Sequence, residues 1–397
     1  MSDDRSVYFD YAATTPVDPR VLEAMTPYFT ELFGNANSLY STGRQAFNAL
    51  EDARARVAEA IGAAQPREII FTSGGTESDN AAIIGITRAV SPGGGHVIVS
   101  AFEHHAILEP AHILEKSGYD VTYLKPRSDG VVHVEDLEAA LREDTVLVSV
   151  MHGNNELGTI QPIAELSAAA HKVGALMHTD AAQTLGKIPF DVADLGVDAA
   201  SFSSHKIYGP KGVGVLYLKR GVRFHPQING GGQEFKRRSG TQNVVGAIGF
   251  AKALDLMLED QEQERVRLTN LRDKFEQGVM DTLENTEVSA KSDNRLPNIA
   301  HMLIKGVEGE SMLLQLDAKG IAVSTGSACS SGSLEPSHVL LSIGCPQELA
   351  HGSLRASFGR FTTEADVDYF LEVFPPIVNR LRAMSPVYEK MFGSSAS

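Results

Sequence analysis

The sequence predicts an α/β protein: a mostly parallel, seven-stranded sheet covered by helices forms a large domain, and a smaller α+β domain follows it. Three observations lead there. Between about residues 65 and 220, short β-rich apolar runs alternate with helical patterns, the layout of a parallel sheet with helical crossovers. At 397 residues the chain exceeds the ~250–300 residues at which single cores stop growing. From about 246 to 286 the pattern is helical and rich in Glu, Asp and Arg, which places a domain junction near 260. The expected division is 15–260 for the large domain, with 1–14 and 261–397 forming the small one.

The elements follow in order. RQAFNALEDARARVAEAIG sets Ala46, Leu50, Ala53, Val57 and Ala60 at alternating four- and three-residue spacing, one face of an amphipathic helix. The strand candidates are EIIFTS (68–73), HVIVSA (96–101), VTYLKP (121–126), TVLVSVM (145–151), ALMHTD (175–180), AASFSS (199–204) and VGVLYL (213–218). Helical segments such as SDNAAIIGITRAV and PIAELSAAAHKVG lie between several of them. Ligands of such sheets bind at the carboxyl ends of the strands, so the residues just after each run carry the interest. In the last third NIAHMLI and GIAVST read as strands, followed by a Ser/Gly-rich loop and SLRASFGRF. A helix opens at Thr363 with acidic residues in its first turn, and Pro375–Pro376 is expected to break it.

Composition excludes several function classes. A hydrophobic content of 43% with 21% charged residues is that of an ordinary soluble globular protein. No apolar run approaches the ~18–20 residues needed to span a bilayer. The acidic N-terminus lacks the basic-then-apolar layout of a signal peptide, so a cytoplasmic location and no membrane partner are expected. With 35 Lys and Arg against 50 Asp and Glu, the net charge is −15, which argues against nucleic-acid binding through a basic surface. Two cysteines, Cys329 and Cys345, cannot build a CxxC-type metal site or a disulfide framework, and no metal is expected.

Several strand ends carry chemistry. SFSSHKIYGPKG places Lys206 beside His205 and Ser203. That lysine is either a solvated loop residue or, with phosphate-binding neighbours, the amine that links to a carbonyl cofactor. In HTDAAQTLG, Asp180 either caps the next helix or balances a protonated ring nitrogen, as a pyridoxal phosphate enzyme requires. FTSGGTESDN leads from a strand through Gly74, Gly75 and Thr76 into a helix with Glu77 and Asp79 in its first turn, a plausible phosphate cradle without a P-loop or dinucleotide fingerprint. AFEHHAILEP adds His104 and His105, neighbours whose side chains diverge too far to share a metal. MHGNNELG adds Asn155, GGGQEFKRRSGTQN adds Thr241, and Arg355 lies just ahead of ASFGR. Each has a bland reading alone. Together they form the parts list of a fold-type-I pyridoxal phosphate enzyme.

From DYAATTPVDPRV to SPVYEKM the chain resembles the cysteine desulfurases of the iron–sulfur-cluster-assembly and nitrogen-fixation type. FTSGGTESDN, NNELGTIQPI, SFSSHKIYGPKG, GSACSSGSLEPSHVL and RFTTE carry the resemblance. It implies that Lys206 is the covalent attachment point for pyridoxal phosphate, that Asp180 keeps the ring nitrogen protonated and that Gln183 faces the phenolic oxygen. His104 would stack on the ring and serve in acid–base steps. Gly75, Thr76, Ser203 and His205 would hold the phosphate, with Thr241 reaching over from the partner of a homodimer. Asn155 would lie beside cofactor and substrate, and Arg355 would clamp the substrate carboxylate, a task suited to its bidentate fork. The thiolate of Cys329, soft and nucleophilic, would take sulfur from L-cysteine as a persulfide and leave L-alanine.

The Ser/Gly loop STGSACSSGSLEPS, 324–337, is then expected to be a swinging sulfur carrier, since loops without bulky side chains cover distance at little entropic cost. It would deliver sulfur to an acceptor protein such as an iron–sulfur scaffold or a sulfurtransferase, with transient cluster ligation by Cys329 the only metal contact. Three departures from the family pattern stand out: Gln233 in GGGQE, Thr325 in place of a Ser, and a C-terminal MFGSSAS shorter than in the housekeeping members, which leaves docking to a standard scaffold an open expectation. Cys345 reads as structural. Alternative readings are a selenocysteine lyase or related aminotransferase, and a non-catalytic interaction protein on the same fold; Cys329 in its loop weighs against an aminotransferase.

Overall fold

The structure is a computed structural model and describes residues 5–290, 292–325 and 336–392. Its strands are β1 (Val7–Tyr8), β2 (Ile69–Thr72), β3 (His96–Ser100), β4 (Asp120–Leu124), β5 (Thr145–Ser149), β6 (Leu176–Asp180), β7 (Ala199–Ser203), β8 (Gly214–Leu218), β9 (Thr286–Val288), β10 (Ile299–Ile304), β11 (Ile321–Ala322) and β12 (Ser353–Ser357). All seven strand candidates between 68 and 218 join one sheet in the order β2-β8-β7-β6-β5-β3-β4. Only β8 runs antiparallel to its neighbours, β2 and β7; the remaining pairs are parallel. Every residue of β2, β3, β7 and β8 is buried, as expected for a sheet covered on both faces.

The helix Ser41–Ala60 buries Ala46, Leu50, Ala53 and Val57 of the predicted stripe, with Ala60 at its end packing partly buried against the same core. It packs against Val244–Glu259, whose own face is almost continuously buried. That helix ends at Asp260, where Gln261–Thr282 begins. A second core gathers Leu268, Phe275, Met302, Leu354 and Phe370 around Phe9 from the N-terminal segment. Phe9 meets Phe358 edge-on at 5.2 Å between ring centroids, and β1 pairs in parallel with β11. The antiparallel sheet β12-β10-β9 lies over this core.

One expectation fails. The last long helix is capped by Thr363, whose Oγ1 accepts from the Asp366 amide at 3.3 Å while Asp366 accepts from the Thr363 amide at 2.9 Å. It does not break at Pro375–Pro376 but runs from Glu364 to Ala383. A proline pair removes two donors and crowds the preceding turn. Burial of Phe370, Phe374, Ile377 and Val378 on both sides of the pair holds the helix to the core, and the prolines lie off that buried stripe. Among the described residues no helix is long and apolar enough to cross a membrane.

Candidate active site

The carboxyl ends of β2, β3, β5, β6 and β7 surround a cavity of about 670 Å³. Gly75, Thr76, His104, Asn155, Asp180, Gln183, Ser203, His205, Lys206 and Arg355 all line it. Thr241 is exposed and is not among the lining residues. Cys329 lies outside the described residues. Sequence reasoning missed Asp10, Lys211 and Ser324, which also line the cavity, and Glu103 close behind it.

Lys206 ends the short 3-10 turn Ser204–Lys206 that follows β7. Its Nζ donates to the backbone carbonyls of Ala12 at 2.5 Å and Ala13 at 2.8 Å. The N-terminal DYAATTP segment therefore positions the amine. His205 Nδ1 lies 3.1 Å from Thr14 Oγ1 in the same segment; burial and the charge of Lys206 pull His205 down to about 4.

Asp180 is the last residue of β6, and its Oδ1 accepts from the Ala182 amide at 2.8 Å. Burial raises its carboxyl, while that amide and Lys206 oppose the rise. Two further acids lie near it. Asp79 is buried, with Oδ1 3.9 Å from His178 Nε2, and burial and the Asp180 charge push it well above the usual carboxylate range. Glu103 accepts from Ser100 Oγ and from the Met151 amide at 2.6 Å; burial first, then Asp180, lifts it to about 8. Buried like charges in one cluster cannot all ionise, and Asp180 alone of the three has a cation, Lys206, acting to lower it. Asp79 was legible only as a first-turn acid, because its burial against β6 and β7 depends on the fold. Glu77 does occupy the first turn, paired with Arg238 at 2.9 Å.

His104 caps the helix His105–Lys116 by accepting the Ala106 amide on Nδ1 at 3.1 Å. Burial, then Lys206, lowers it to about 4, so at neutral pH it is uncharged with its proton on Nε2. His105 points elsewhere: its ring centroid is 6.5 Å from that of His104 and 5.0 Å from that of His338. No group of three or more potential metal ligands forms among the described residues. Cys345 is half-buried against the large core, and burial pushes its thiol up.

The residues fit pyridoxal phosphate. Gln183 Oε1 and Asn155 Oδ1 are buried in the cavity wall with no partner among the described residues, as expected of groups meant for a ligand. Gly75 and Thr76 begin the helix Gly75–Asn80, which a π-helical stretch, Ala81–Ile86, continues; the first amides of a helix lack intrahelical partners and suit an anion. Lys206 supplies an amine and Asp180 a strand-end carboxylate.

A mostly parallel α/β sheet with these groups at its carboxyl edge defines an enzyme of the aminotransferase class, and the class-V aminotransferase family model matches residues 7–370. The chain belongs to that family and, within it, to the cysteine desulfurases. It is 52% identical to the cysteine desulfurase IscS of Dictyoglomus turgidum over 382 residues, 96% of this chain and 97% of the relative. It is 49% identical to the IscS of Clostridium botulinum over 388 residues, 97% of this chain and 98% of the relative. Among solved structures, a NifS-like protein superimposes with a TM-score of 0.89 at 40% identity, covering 95% of this chain and all of that one.

Proposed function

We propose that this chain is a pyridoxal-phosphate-dependent cysteine desulfurase: L-cysteine and the Cys329 thiol give L-alanine and a Cys329 persulfide. The observation that carries the reading is the convergence of Lys206, Asp180, His104 and Arg355 on one cavity in a chain half identical to cysteine desulfurases. When bound, pyridoxal phosphate supplies the electron sink that acidifies the substrate Cα–H and weakens the bond from Cβ to sulfur.

The chain's own residues would do the rest. Asp180 would hold a proton on the ring nitrogen, Gln183 and Asn155 would offer side-chain oxygens that have no partner among the described residues, and Gly75, Thr76, Ser203 and His205 would hold the phosphate. Lys206 Nζ, seated against two carbonyls, is the base for the Cα proton. Neutral His104 can move one proton at Nε2. Arg355 anchors the substrate carboxylate, and the Cys329 thiolate attacks the substrate sulfur.

The same reading gives a homodimer in which Thr241 completes the partner's phosphate site. It is supported by the run of exposed apolar side chains Phe29, Phe33, Leu39 and Tyr40, of which Leu39 is 89% exposed. It also gives a soluble cytoplasmic enzyme that hands sulfur to an acceptor protein for iron–sulfur assembly or another sulfur-transfer route. The domain boundary near 260 is supported by the helix break at Asp260 and by the separate core around Phe9 and Phe275.

Mass analysis of the holoenzyme after addition of L-cysteine tests the function. Cys329 should be one sulfur atom heavier, with one alanine formed per sulfur. Alanine without modified Cys329, or neither product, would refute it.

A further inference from the structure

Arg355 already holds a carboxylate. On β12 it lies opposite His301 of β10, and its side chain is only 6% exposed. Its Nη2 donates to Asp10 Oδ1 at 2.8 Å and its Nη1 to the Asn155 carbonyl at 2.8 Å. Its Nε is enclosed, with no partner among the described residues. Asp10 and Arg355 line the same cavity, and the Asp10 side chain keeps 21% of its exposure there.

This geometry limits how a second carboxylate can bind. A guanidinium takes a carboxylate bidentately through two N–H groups. The side-on pair needs Nε, which is enclosed. The end-on pair uses Nη1 and Nη2, and each has already given one N–H to the protein. An incoming carboxylate must therefore displace Asp10 or share the fork with it, negative charge beside negative charge. The backbone of Asp10 is held in place, its carbonyl accepting from the Ala13 amide at 3.0 Å and the Thr14 amide at 3.4 Å and from Tyr8 Oη at 3.0 Å, so the carboxylate can yield only by turning about its own side-chain bonds.

We propose that Asp10 is an internal counter-carboxylate, a specificity-determining residue that competes with substrate and product for Arg355 and so weakens the hold of the site on carboxylates. The proposal rests on Arg355 being the substrate anchor. It makes the affinity for L-alanine, which has the same carboxylate as L-cysteine, deliberately modest and so favours product release. Because the competition is felt equally in ground and transition states, relieving it lowers KM without raising kcat.

The test is the isosteric variant Asp10→Asn in the holoenzyme, compared with Arg355→Lys. L-alanine is the probe, measured both as a competitive inhibitor and by direct calorimetric binding. In Asp10→Asn the alanine inhibition constant and the KM for L-cysteine should each fall about tenfold, the size of losing one partly screened like-charge neighbour, with kcat not raised. Arg355→Lys should weaken alanine binding. Unchanged or weaker alanine binding in Asp10→Asn, with the expected loss in Arg355→Lys, overturns the proposal alone. No loss in Arg355→Lys overturns the anchor assignment as well.

Discussion

Arg54 and Glu234 form a buried two-point ion pair, Nη1 to Oε2 at 2.7 Å and Nη2 to Oε1 at 2.9 Å, with side chains 1% and 3% exposed. Glu234 also accepts the Phe71 amide at 2.9 Å. It sits in a left-handed stretch, with φ of 43° at Glu234, 57° at Phe235 and 65° at Lys236, a conformation L-residues adopt at a cost. The pair thus ties the helix Ser41–Ala60 to β2 and to the segment bearing Arg238 and Thr241.

Removing one partner strands the other charge. Arg54→Met should destabilise the protein by about 3–5 kcal/mol, the cost of an uncompensated buried carboxylate, read as a lower midpoint in chemical denaturation. A loss below about 1 kcal/mol would mean that Glu234 finds water or a proton cheaply.

Glu103 should make the protein less stable as pH rises. Its carboxyl is lifted from 4.5 to about 8, so between those values the native state keeps a proton that the unfolded chain has released. Stability then falls with pH across that window. Glu103→Gln removes this slope, and its advantage over wild type should grow from pH 4.5 to 8 and then level off. Parallel stability–pH curves would contradict the assignment.

Lys206→Ala should bind pyridoxal phosphate without a covalent link. Borohydride treatment followed by peptide mapping should mark residue 206 in wild type and nothing in the variant, and turnover should fall by about a thousandfold, within the range for losing a positioned base. A marked lysine elsewhere would move the role away from Lys206.

The two cysteines should behave oppositely. Burial raises the Cys345 thiol, which lowers its thiolate fraction and hence its reactivity. Cys345→Ser should keep sulfide release within about twofold of wild type, as expected for a near-isosteric change outside the site, whereas Cys329→Ser should abolish it. Loss of sulfide release in Cys345→Ser would give that thiol a part in the transfer.

The sheet was legible because each of its strands is a short apolar run with β-formers, a signal contained in a few neighbouring residues. The cavity residues were legible where they follow such a run, as Asp180, His104 and Lys206 do. Asp10 was not, because its partner Arg355 is 345 positions away and nothing local marks either as half of a pair. Asp79 looked like an ordinary first-turn acid, because its burial within reach of the Asp180 charge depends on the fold. The prolines at 375 and 376 were read by their local cost, which burial of Phe374 and Ile377 outweighs.

The seating of Lys206 against Ala12 and Ala13 has a consequence for the order of assembly. The segment that carries those carbonyls is held in place by chain made much later: Val7 and Tyr8 pair with Ile321 and Ala322, and the Phe9 carbonyl accepts from the Ser357 amide at 2.8 Å. During synthesis this segment cannot dock until the chain around residues 321–357, more than 300 positions later, has been made. Such long-range closure is slow, and domains otherwise form as they appear. The sheet with its strand-end carboxylate and histidine can therefore be complete while the amine is still unplaced, and an interrupted nascent chain would carry most of the catalytic groups without the means to use them.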